Sequence, residues 1–364
     1  MSSKLESQAG FEATLIGFVY RQFTTPKPVP AETKLTGQVA IVTGCNMGLG
    51  FEACRQFLRH ELSHLIMAVR SQAKGDEAAD KLRKEFPDSN ISVWTVEMES
   101  YDSIRAFVER CATLPRIDMV ILNAALMKMA HTTVSATGHE ITMQVNYLST
   151  ALLSILLLPV LKSKKIAGAQ KPPVLSIVGS DLAYRADIET KGPILQQFDK
   201  SEGYGELLWY GRSKLLLTFF VAKLAEFVDA DDVIINMPNP GTIKGTGFFR
   251  DFPTLASKVV AVLHFIFGRR VDVGATTYLD ATIARGKESH GSFISDWAIK
   301  PGRQRVQRKT MGRDNAGTKL RGGIEDPRGY EKMTMKNIKT GRRRVSLCVQ
   351  AHCTHWTTAI ILRA

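Results

Sequence analysis

Hydrophobic and polar positions alternate along most of the chain with two distinct periods. Short runs of consecutive apolar residues, typical of strands buried on both faces, are separated by longer segments with apolar positions at helical spacing. The runs predict strands at residues 38–42, 64–69, 91–96, 118–122, 174–178, 232–236 and 291–295. The longer segments predict helices near residues 49–60, 74–86, 102–113, 139–162, 205–228 and 273–284. This alternation is typical of right-handed βαβ crossovers, so we predict an α/β fold with a doubly wound parallel sheet in a single domain.

The pattern changes at both ends of the alternating domain, which spans residues 36–300. Residues 1–35 form an N-terminal extension, in which residues 11–23 predict a short amphipathic helix and a proline-rich stretch follows. We expect this helix to pack on its own domain, with docking to a membrane surface or a partner as the alternative. Residues 301–364 lack apolar periodicity, and we expect a basic, disordered tail.

The net charge is concentrated in that tail. The formal charge is +13, yet residues 300–364 alone hold 16 Lys and Arg against 4 Asp and Glu. Nucleic-acid or anionic-surface binding through the tail is therefore an alternative function. The tail lacks interleaved aromatic residues, which favours a solvated segment and no specific nucleic-acid partner. Its abrupt change of composition also fits a shifted reading frame or an unspliced intron, which sequencing of the mature transcript would decide.

Composition excludes several other classes of protein. A chain of 364 residues with 44% apolar and 23% charged residues can bury a full core, so it is not disordered throughout. Its five cysteines are scattered without a Cys-x-x-Cys pair, which indicates neither a disulfide framework nor a metal site and fits the cytoplasm. The longest apolar run, residues 151–161, is too short for a membrane span and contains Pro159, so we predict a buried helix.

A glycine-rich turn connects the first predicted strand to the first helix of the domain. Residues 43–50 are Thr-Gly-Cys-Asn-Met-Gly-Leu-Gly. Because Gly44, Gly48 and Gly50 lack a Cβ, the backbone can turn tightly and approach phosphate oxygens, while the N–H groups of the helix start attract an anion. The turn predicts a dinucleotide pyrophosphate site, although any strand-to-helix turn can carry two or three glycines.

Polar residues at the ends of the next strands extend this site. Arg70, about 20 residues past the turn, can pair with a 2′-phosphate, with Lys74 as a second cation, which favours NADP over NAD. Glu97 can cap the adenine amino group, and Asn123 can line the cofactor and join neighbouring strands, because the carboxyl ends of parallel strands meet in one crevice. The alternatives are that Arg70 is a solvated residue at a strand end, that Glu97 is a surface acid and that Asn123 is an ordinary turn residue.

A hydroxyl, a phenol and an ammonium group follow in order along the chain. A buried strand ends at Ser180, and a helix begins 30 positions later with Tyr210 and Lys214, which share one helical face. A nearby positive charge lowers the pKa of a phenol from about 10 toward the range of efficient general acid–base catalysis. The Tyr–Lys pair alone is common by chance, but its order after the serine and the glycine turn is specific.

These motifs resemble those of the short-chain dehydrogenase/reductase family. The motifs are the glycine turn, Asn-Ala at 123–124, Asn146, Ser180, Tyr210-x-x-x-Lys214 and Asn-Pro-Gly at 239–241. The resemblance covers about residues 36–300 and is greatest to fungal members from secondary-metabolite pathways. It implies a Rossmann-type fold, a possible homodimer and an NADP(H)-dependent oxidoreductase that interconverts a ketone and a secondary alcohol on a lipophilic polyketide or terpenoid.

The resemblance also implies roles for individual residues. Tyr210 would donate a proton to the carbonyl oxygen, Ser180 would hydrogen-bond that oxygen, and Lys214 would bind the ribose hydroxyls and favour tyrosinate. Asn146 would hold a water that relays protons to Lys214. The Asn-Pro-Gly motif and residues 242–247 would close over the nicotinamide, with Ile243 and Thr246 as the expected contacts. Further cofactor contacts are expected from Asn46 and Leu49, and residues 250–270 would form a substrate-facing lid or pack against the domain.

Two positions depart from the family pattern at the cofactor site. Glu97 stands where an aspartate is usual, which bears on its expected adenine contact. Ala125 stands where relatives usually have glycine, which would cost about 1 kcal/mol if that position requires a positive φ or close backbone approach. A catalytically impaired relative is the remaining alternative, and the presence of Ser180, Tyr210 and Lys214 argues against it.

Overall fold

Eight strands form one sheet in the computed structural model, which describes residues 11, 14–189, 194–244 and 268–300. The strands are β1 (Val39–Thr43), β2 (His64–Val69), β3 (Asn90–Thr95), β4 (Met119–Leu122), β5 (Val174–Ile177), β6 (Ile234–Asn239), β7 (Ser292–Ser295) and β8 (Ala298–Lys300). Their order across the sheet is β3-β2-β1-β4-β5-β6-β7-β8, with all neighbours parallel except β7 and β8. The strand order reverses between β1 and β4, as in a doubly wound sheet. The predicted Rossmann-type fold is confirmed.

Helices cover both faces of this sheet and supply its two hydrophobic cores. They are α1 (Leu15–Gln22), α2 (Gly48–Arg59), α3 (Gln72–Glu85), α4 (Tyr101–Ala112), α5 (Ile141–Ser163), α6 (Glu206–Leu224) and α7 (Val271–Leu279). Apolar residues of α4, α5 and α6 form one core with the sheet, and those of α2, α3 and α7 form the other. Since helices bury both faces, the strands carry continuous apolar runs, which is why the sequence located them.

Helix α5 contains the longest apolar run of the chain. In the described part of the protein it is the helix whose length and composition would suffice to cross a membrane, but 72% of its most apolar window is buried inside the protein. The predicted buried helix is therefore confirmed. The middle of α5, Gln144–Ser149, is a π turn, and α7 likewise continues as a π segment over Asp280–Ala284.

Two strand boundaries near the carboxyl edge of the sheet differ from the prediction. Strand β6 runs to Asn239 instead of ending at residue 236. Pro238 lies beyond the last residue pair between β5 and β6, but its carbonyl still accepts a hydrogen bond from the N–H of Gly179 at 2.8 Å. Strand β8 was not predicted. It follows a two-residue turn, Asp296 and Trp297, both with φ near +55°. Tryptophan stands where glycine is usual in such a turn, so the sequence does not mark it.

Candidate active site

The glycine turn between β1 and α2 has the geometry that its sequence predicts. Gly44 and Gly48 adopt φ of +63° and +62°, in the left-handed region. A Cβ on Gly44 would lie 2.8 Å from the Cα of Ala124, and one on Gly50 would lie 2.6 Å from the Nδ2 of Asn123, so both positions require glycine. Met47 precedes α2 without capping it through its side chain, which leaves the first N–H groups of the helix available to an anion.

Hydrogen bonds join this turn to the end of β4. The Oγ1 of Thr43 accepts from the N–H groups of Asn123 and Ala124 at 3.0 Å each, and the Nδ2 of Asn123 donates to the carbonyls of Thr43 and Gly44, also at 3.0 Å. The buried phenol of Tyr278 on α7 donates to the Oδ1 of Asn123 at 3.0 Å. Asn123 therefore joins neighbouring strands, as predicted. The sequence analysis included Thr43 in the glycine-turn motif without giving it a role. It missed Tyr278, because a tyrosine within an apolar helix carries no distinctive motif.

Ala125 lies next to this junction without the backbone strain that its departure from glycine suggested. In the described part of the chain, the non-glycine residues with positive φ are Glu61, Asp296 and Trp297. Ala125 thus adopts an ordinary backbone conformation, and the cost expected for a left-handed alanine does not arise.

Arg70 at the end of β2 is already paired with acidic residues. Its Nε lies 3.8 Å from Glu97 and its Nη1 lies 3.4 Å from Glu99, while its side chain is 66% exposed. The carboxylate of Glu97 also accepts from the N–H of Glu99 at 3.1 Å. Lys74 is exposed in the first turn of α3, whose start is capped by Ser71. Arg70 and Lys74 thus lie at one edge of the crevice, and the carboxylate of Glu97 is contacted by Arg70 and by the N–H of Glu99.

Ser180, Tyr210 and Lys214 meet at the carboxyl end of β5. The Nζ of Lys214 donates to the carbonyl of Val178 at 2.8 Å and lies 5.8 Å from the centre of the Tyr210 ring. The phenol of Tyr210 is hydrogen-bonded to the hydroxyl of Ser180. Gly179, directly before Ser180, lets this segment pack closely on β7, since a Cβ there would lie 2.7 Å from the Phe293 ring. The structure therefore brings together the three residues that the motif order selected.

Burial dominates the ionisation of this trio. It raises the pKa of Tyr210 to about 12, and the hydrogen bond with Ser180 lowers that pKa by less. Burial therefore outweighs the lowering of the phenol pKa that was expected from the ammonium of Lys214, whose Nζ lies 5.8 Å from the centre of the ring. Burial also lowers the pKa of Lys214 to about 8. At neutral pH the phenol keeps its proton, and most Lys214 side chains are charged.

Asn146 lies in the π turn of α5 and anchors a neighbouring segment through its side chain. Its Oδ1 accepts from the N–H of Leu126 at 2.8 Å, and its Nδ2 donates to the carbonyl of Leu126 at 2.8 Å and to the Oγ of Ser213 at 3.2 Å. Ser213 precedes Lys214 in α6. The side chain thus connects α5, α6 and the segment after β4, and π turns often occur at functional sites. The water expected between Asn146 and Lys214 stays a prediction.

Leu49 and Ile243 approach one another over α7. A Cβ on Gly274 would lie 2.9 Å from the Cδ2 of Leu49 and 2.4 Å from the Cδ1 of Ile243, so glycine lets both side chains reach the same position. Asn46 is half-buried in the glycine turn. Thr246, residues 250–267 of the expected lid and the tail at 301–364 lie outside the described residues.

A buried group of four charges lies behind the end of β6. It consists of Arg21, Asp181, Arg269 and Asp296. Arg269 bonds Asp296 at 2.5 Å, and Arg21 lies 3.5 Å from Asp181, the residue after Ser180. These residues are far apart in sequence, and no local pattern marks any of them as buried. The sequence analysis therefore missed this cluster.

The glycine turn, the open crevice edge and the Ser–Tyr–Lys trio together define a dinucleotide-dependent oxidoreductase. Comparisons with known proteins agree. The family described as short chain dehydrogenase matches residues 38–169. The short chain dehydrogenase virL of Hypocrea virens is 60% identical over 301 residues, which cover 83% of this chain and 88% of the relative. The short chain dehydrogenase/reductase mfmJ of Annulohypoxylon moriforme is 47% identical over 288 residues, covering 78% and 83% of the two chains. The chain belongs to the short-chain dehydrogenase/reductase family.

Solved structures show the same fold. A short chain dehydrogenase from Shigella flexneri, solved in complex with NADP, matches with a TM-score of 0.53 at 18% identity and covers 73% of this chain and all of its own. The RhlG/NADP complex from Pseudomonas aeruginosa matches with a TM-score of 0.52 at 20% identity, covering 73% and 97%. The protein is accordingly an enzyme that acts on CH–OH or C=O groups with a nicotinamide cofactor.

Proposed function

We propose that the protein is an NADP(H)-dependent oxidoreductase that interconverts a ketone and a secondary alcohol on a lipophilic small molecule. The observation that carries the proposal is the meeting of Ser180, Tyr210 and Lys214 at the end of β5, in the crevice opened by the glycine turn. The positive φ of Gly44 and the uncapped start of α2 suit a pyrophosphate, so the residues present fit the cofactor.

The side chains supply the proton half of the reaction. A bound nicotinamide would supply the hydride for the carbonyl carbon. Tyr210 donates its phenolic proton to the carbonyl oxygen and becomes tyrosinate, and Ser180 donates a hydrogen bond to the same oxygen. A phenol with a pKa of about 12 is fully protonated at neutral pH, which suits a donor in the direction of reduction. The Lys214 ammonium stabilises the tyrosinate and can donate to the ribose hydroxyls.

The preference for NADP rests on Arg70 and Lys74. Both lie at the edge of the crevice where the adenosine ribose would bind. Arg70 can exchange its ion pairs with Glu97 and Glu99 for a charge-assisted hydrogen bond to a 2′-phosphate. The Shigella and Pseudomonas proteins with this fold were solved with NADP.

The substrate class is inferred from the fungal relatives. The likeness to short chain dehydrogenases of fungi supports a role in fungal secondary metabolism, and we propose polyketide or terpenoid ketones as substrates. The proposed enzyme acts in the cytoplasm. It forms a homodimer through α5 and α6, where Leu207 and Leu208 are exposed.

The test is reduction of a panel of polyketide and terpenoid ketones, followed as NADPH oxidation, with Tyr210→Phe beside Tyr204→Phe. Tyr204 is the matched control because its phenol donates to the carbonyl of Lys128 outside the trio. We expect Tyr210→Phe to lower kcat by about 10²–10⁴-fold, the usual contribution of a positioned acid, and Tyr204→Phe to keep it within a few-fold. Absence of any NADPH-dependent reduction, or full activity of Tyr210→Phe, would overturn the proposal.

A further inference from the structure

Helix α1 packs on the domain with its polar residues inward. Arg21 is 3% exposed and Gln22 is 7% exposed, whereas Ile16 and Tyr20 on the same helix are 74% and 67% exposed. Arginine and glutamine side chains are rarely buried unless polar partners hold them. The buried arginine therefore indicates that α1 is held by a particular set of partners.

Those partners are the two loops that flank the Ser–Tyr–Lys trio. Arg21 lies 3.5 Å from the Oδ1 of Asp181, which directly follows Ser180. The same carboxylate oxygen accepts from the Nδ2 of Asn239 at 2.8 Å, at the start of the Asn-Pro-Gly loop. Arg21 is thus connected to both the loop that carries the catalytic serine and the loop expected to close over the nicotinamide.

A second arginine secures α1 from the other side. Arg269 donates to the carbonyls of Arg21 and Pro240 and to the Oδ1 of Asp296. A Cβ on Gly241 would lie within about 3 Å of the Nη1 of Arg269 and of the side-chain amide of Gln22, so these two side chains leave room only for glycine at this position of the loop. The end of α1 and the nicotinamide loop therefore share one buried contact.

The four charges balance. Arg21 and Arg269 face Asp181 and Asp296, and each carboxylate lies within 4 Å of an arginine nitrogen. Burial and Asp296 raise the pKa of Asp181, while Arg21 and Arg269 lower it. Removal of Arg21 would leave two buried carboxylates against one cation, and like charges this close repel one another. The carboxylate next to Ser180 would then move or take up a proton.

The cluster also holds a strained turn in place. Asp296 and Trp297 both adopt φ near +55° without being glycine, and Trp297 is 1% exposed, with Arg269 stacked 5.0 Å from its ring. Such conformations persist only where the surroundings fix them, and they concentrate at functional sites.

We propose that Arg21 is a positioning residue of the active site, acting through Asp181 on Ser180 and through Asp181 and Asn239 on the loop over the nicotinamide. The N-terminal helix is therefore part of the catalytic frame. This inference rests on the proposed function for the roles of Ser180 and the loop.

The experiment compares Arg21→Met, Arg21→Lys and the control Arg105→Met, which removes an exposed ion pair with Asp102 on α4. For each variant we would measure kcat and KM on a ketone reduced by the wild-type protein, the melting temperature, and the Kd of NADPH and of 2′,5′-ADP. The second ligand occupies the adenosine end of the site alone, so it reports on the glycine turn and Arg70 but not on the nicotinamide loop.

We expect Arg21→Met to lower kcat at least tenfold and to weaken NADPH several-fold, while the Kd of 2′,5′-ADP changes less than twofold. Arg21→Lys should recover part of kcat, because it restores the buried cation without the guanidinium fork. Arg105→Met should match the wild-type protein. Wild-type kcat and NADPH affinity in Arg21→Met would show that Arg21 has no positioning role. The same conclusion would follow if Arg21→Met weakened the binding of NADPH and 2′,5′-ADP equally and Arg21→Lys recovered none of kcat.

Failure of the proposed function gives a different result. A wild-type protein that reduces no ketone would refute that function, and the contrast between NADPH and 2′,5′-ADP in Arg21→Met would still decide whether α1 controls the nicotinamide loop.

Discussion

At the scale of single residues, Tyr210 and Lys214 show how burial sets the chemistry of the site. The phenol is held protonated by its surroundings, and the ammonium is held close to its titration point because its Nζ has exchanged water for one carbonyl at 2.8 Å. The motif located both residues. It gave the wrong direction for the phenol pKa, because spacing along a helix predicts that two side chains are close and not how deeply the phenol is buried.

Lys214 makes stability depend on pH in a defined direction. Its pKa is about 8 in the folded protein and 10.5 as the ordinary value, so between these pH values the unfolded chain binds more protons and stability rises with pH. We expect the wild-type free energy of unfolding to increase by about 1–2 kcal/mol relative to that of Lys214→Met between pH 7 and 9.5. Urea unfolding of both proteins at the two pH values measures this, and parallel pH dependence would contradict it.

Arg70 tests the cofactor preference. Arg70→Ala should raise the KM for NADPH about tenfold, the value of one exposed charge-assisted contact, and should leave the KM for NADH unchanged. Arg83→Ala on α3 removes another exposed arginine, which is paired with Asp80, and serves as the control. Steady-state kinetics with both cofactors decide the matter, and an equal effect on NADH would count against a 2′-phosphate contact.

At the scale of elements, the carboxyl ends of the strands carry the site, and their positions followed from the alternation of apolar runs and helical segments. What the sequence could not supply were contacts between distant elements. Asn146 was selected by its motif position, but its bonds to Leu126 and Ser213 depend on the π turn of α5 and the packing of α6. A π turn needs one extra residue in the helix, and no residue type marks it.

Asn146 and Asn236 form a matched pair for separating structural from catalytic effects. Each is buried and makes three side-chain hydrogen bonds, but Asn236 bonds Ser176, Ala281 and Ser289 away from the trio. Replacement of either by Ala should destabilise the protein by about 1–3 kcal/mol, because buried partners lose their bonds. Only Asn146→Ala should lower kcat more than tenfold well below the melting temperature. Equal kcat in the two variants would assign Asn146 a purely structural role.

At the scale of the whole molecule, charge and fold are separate along the sequence. The described sheet and the Ser–Tyr–Lys trio are complete by Lys300, whereas 16 Lys and Arg lie at residues 300–364. The division was visible in the sequence, because apolar periodicity and net charge change at the same place. The partner of α1 was not visible, since Arg21 and Arg269 meet across 248 positions.

A chain that ends at Lys300 tests whether the basic segment takes part in catalysis. We expect kcat/KM within twofold of the full chain and a melting temperature within a few degrees, because the described core and site remain. Binding to heparin, measured at several salt concentrations, should be strong and salt-dependent only for the full chain. A large loss of activity in the shorter chain would give residues 301–364 a part in the site.

The inward-facing polar side of α1 bears on how enzymes of this family can be recombined. The match to the family described as short chain dehydrogenase begins at residue 38, downstream of Arg21 and Gln22. A chimera that takes only the part of this chain after that position would receive the strand-end loops without Arg21. The carboxylate of Asp181, beside Ser180, would then lack its matching cation. Exchange of substrate specificity between relatives therefore has to include the first helix, with its junction upstream of Thr14, the residue that caps it.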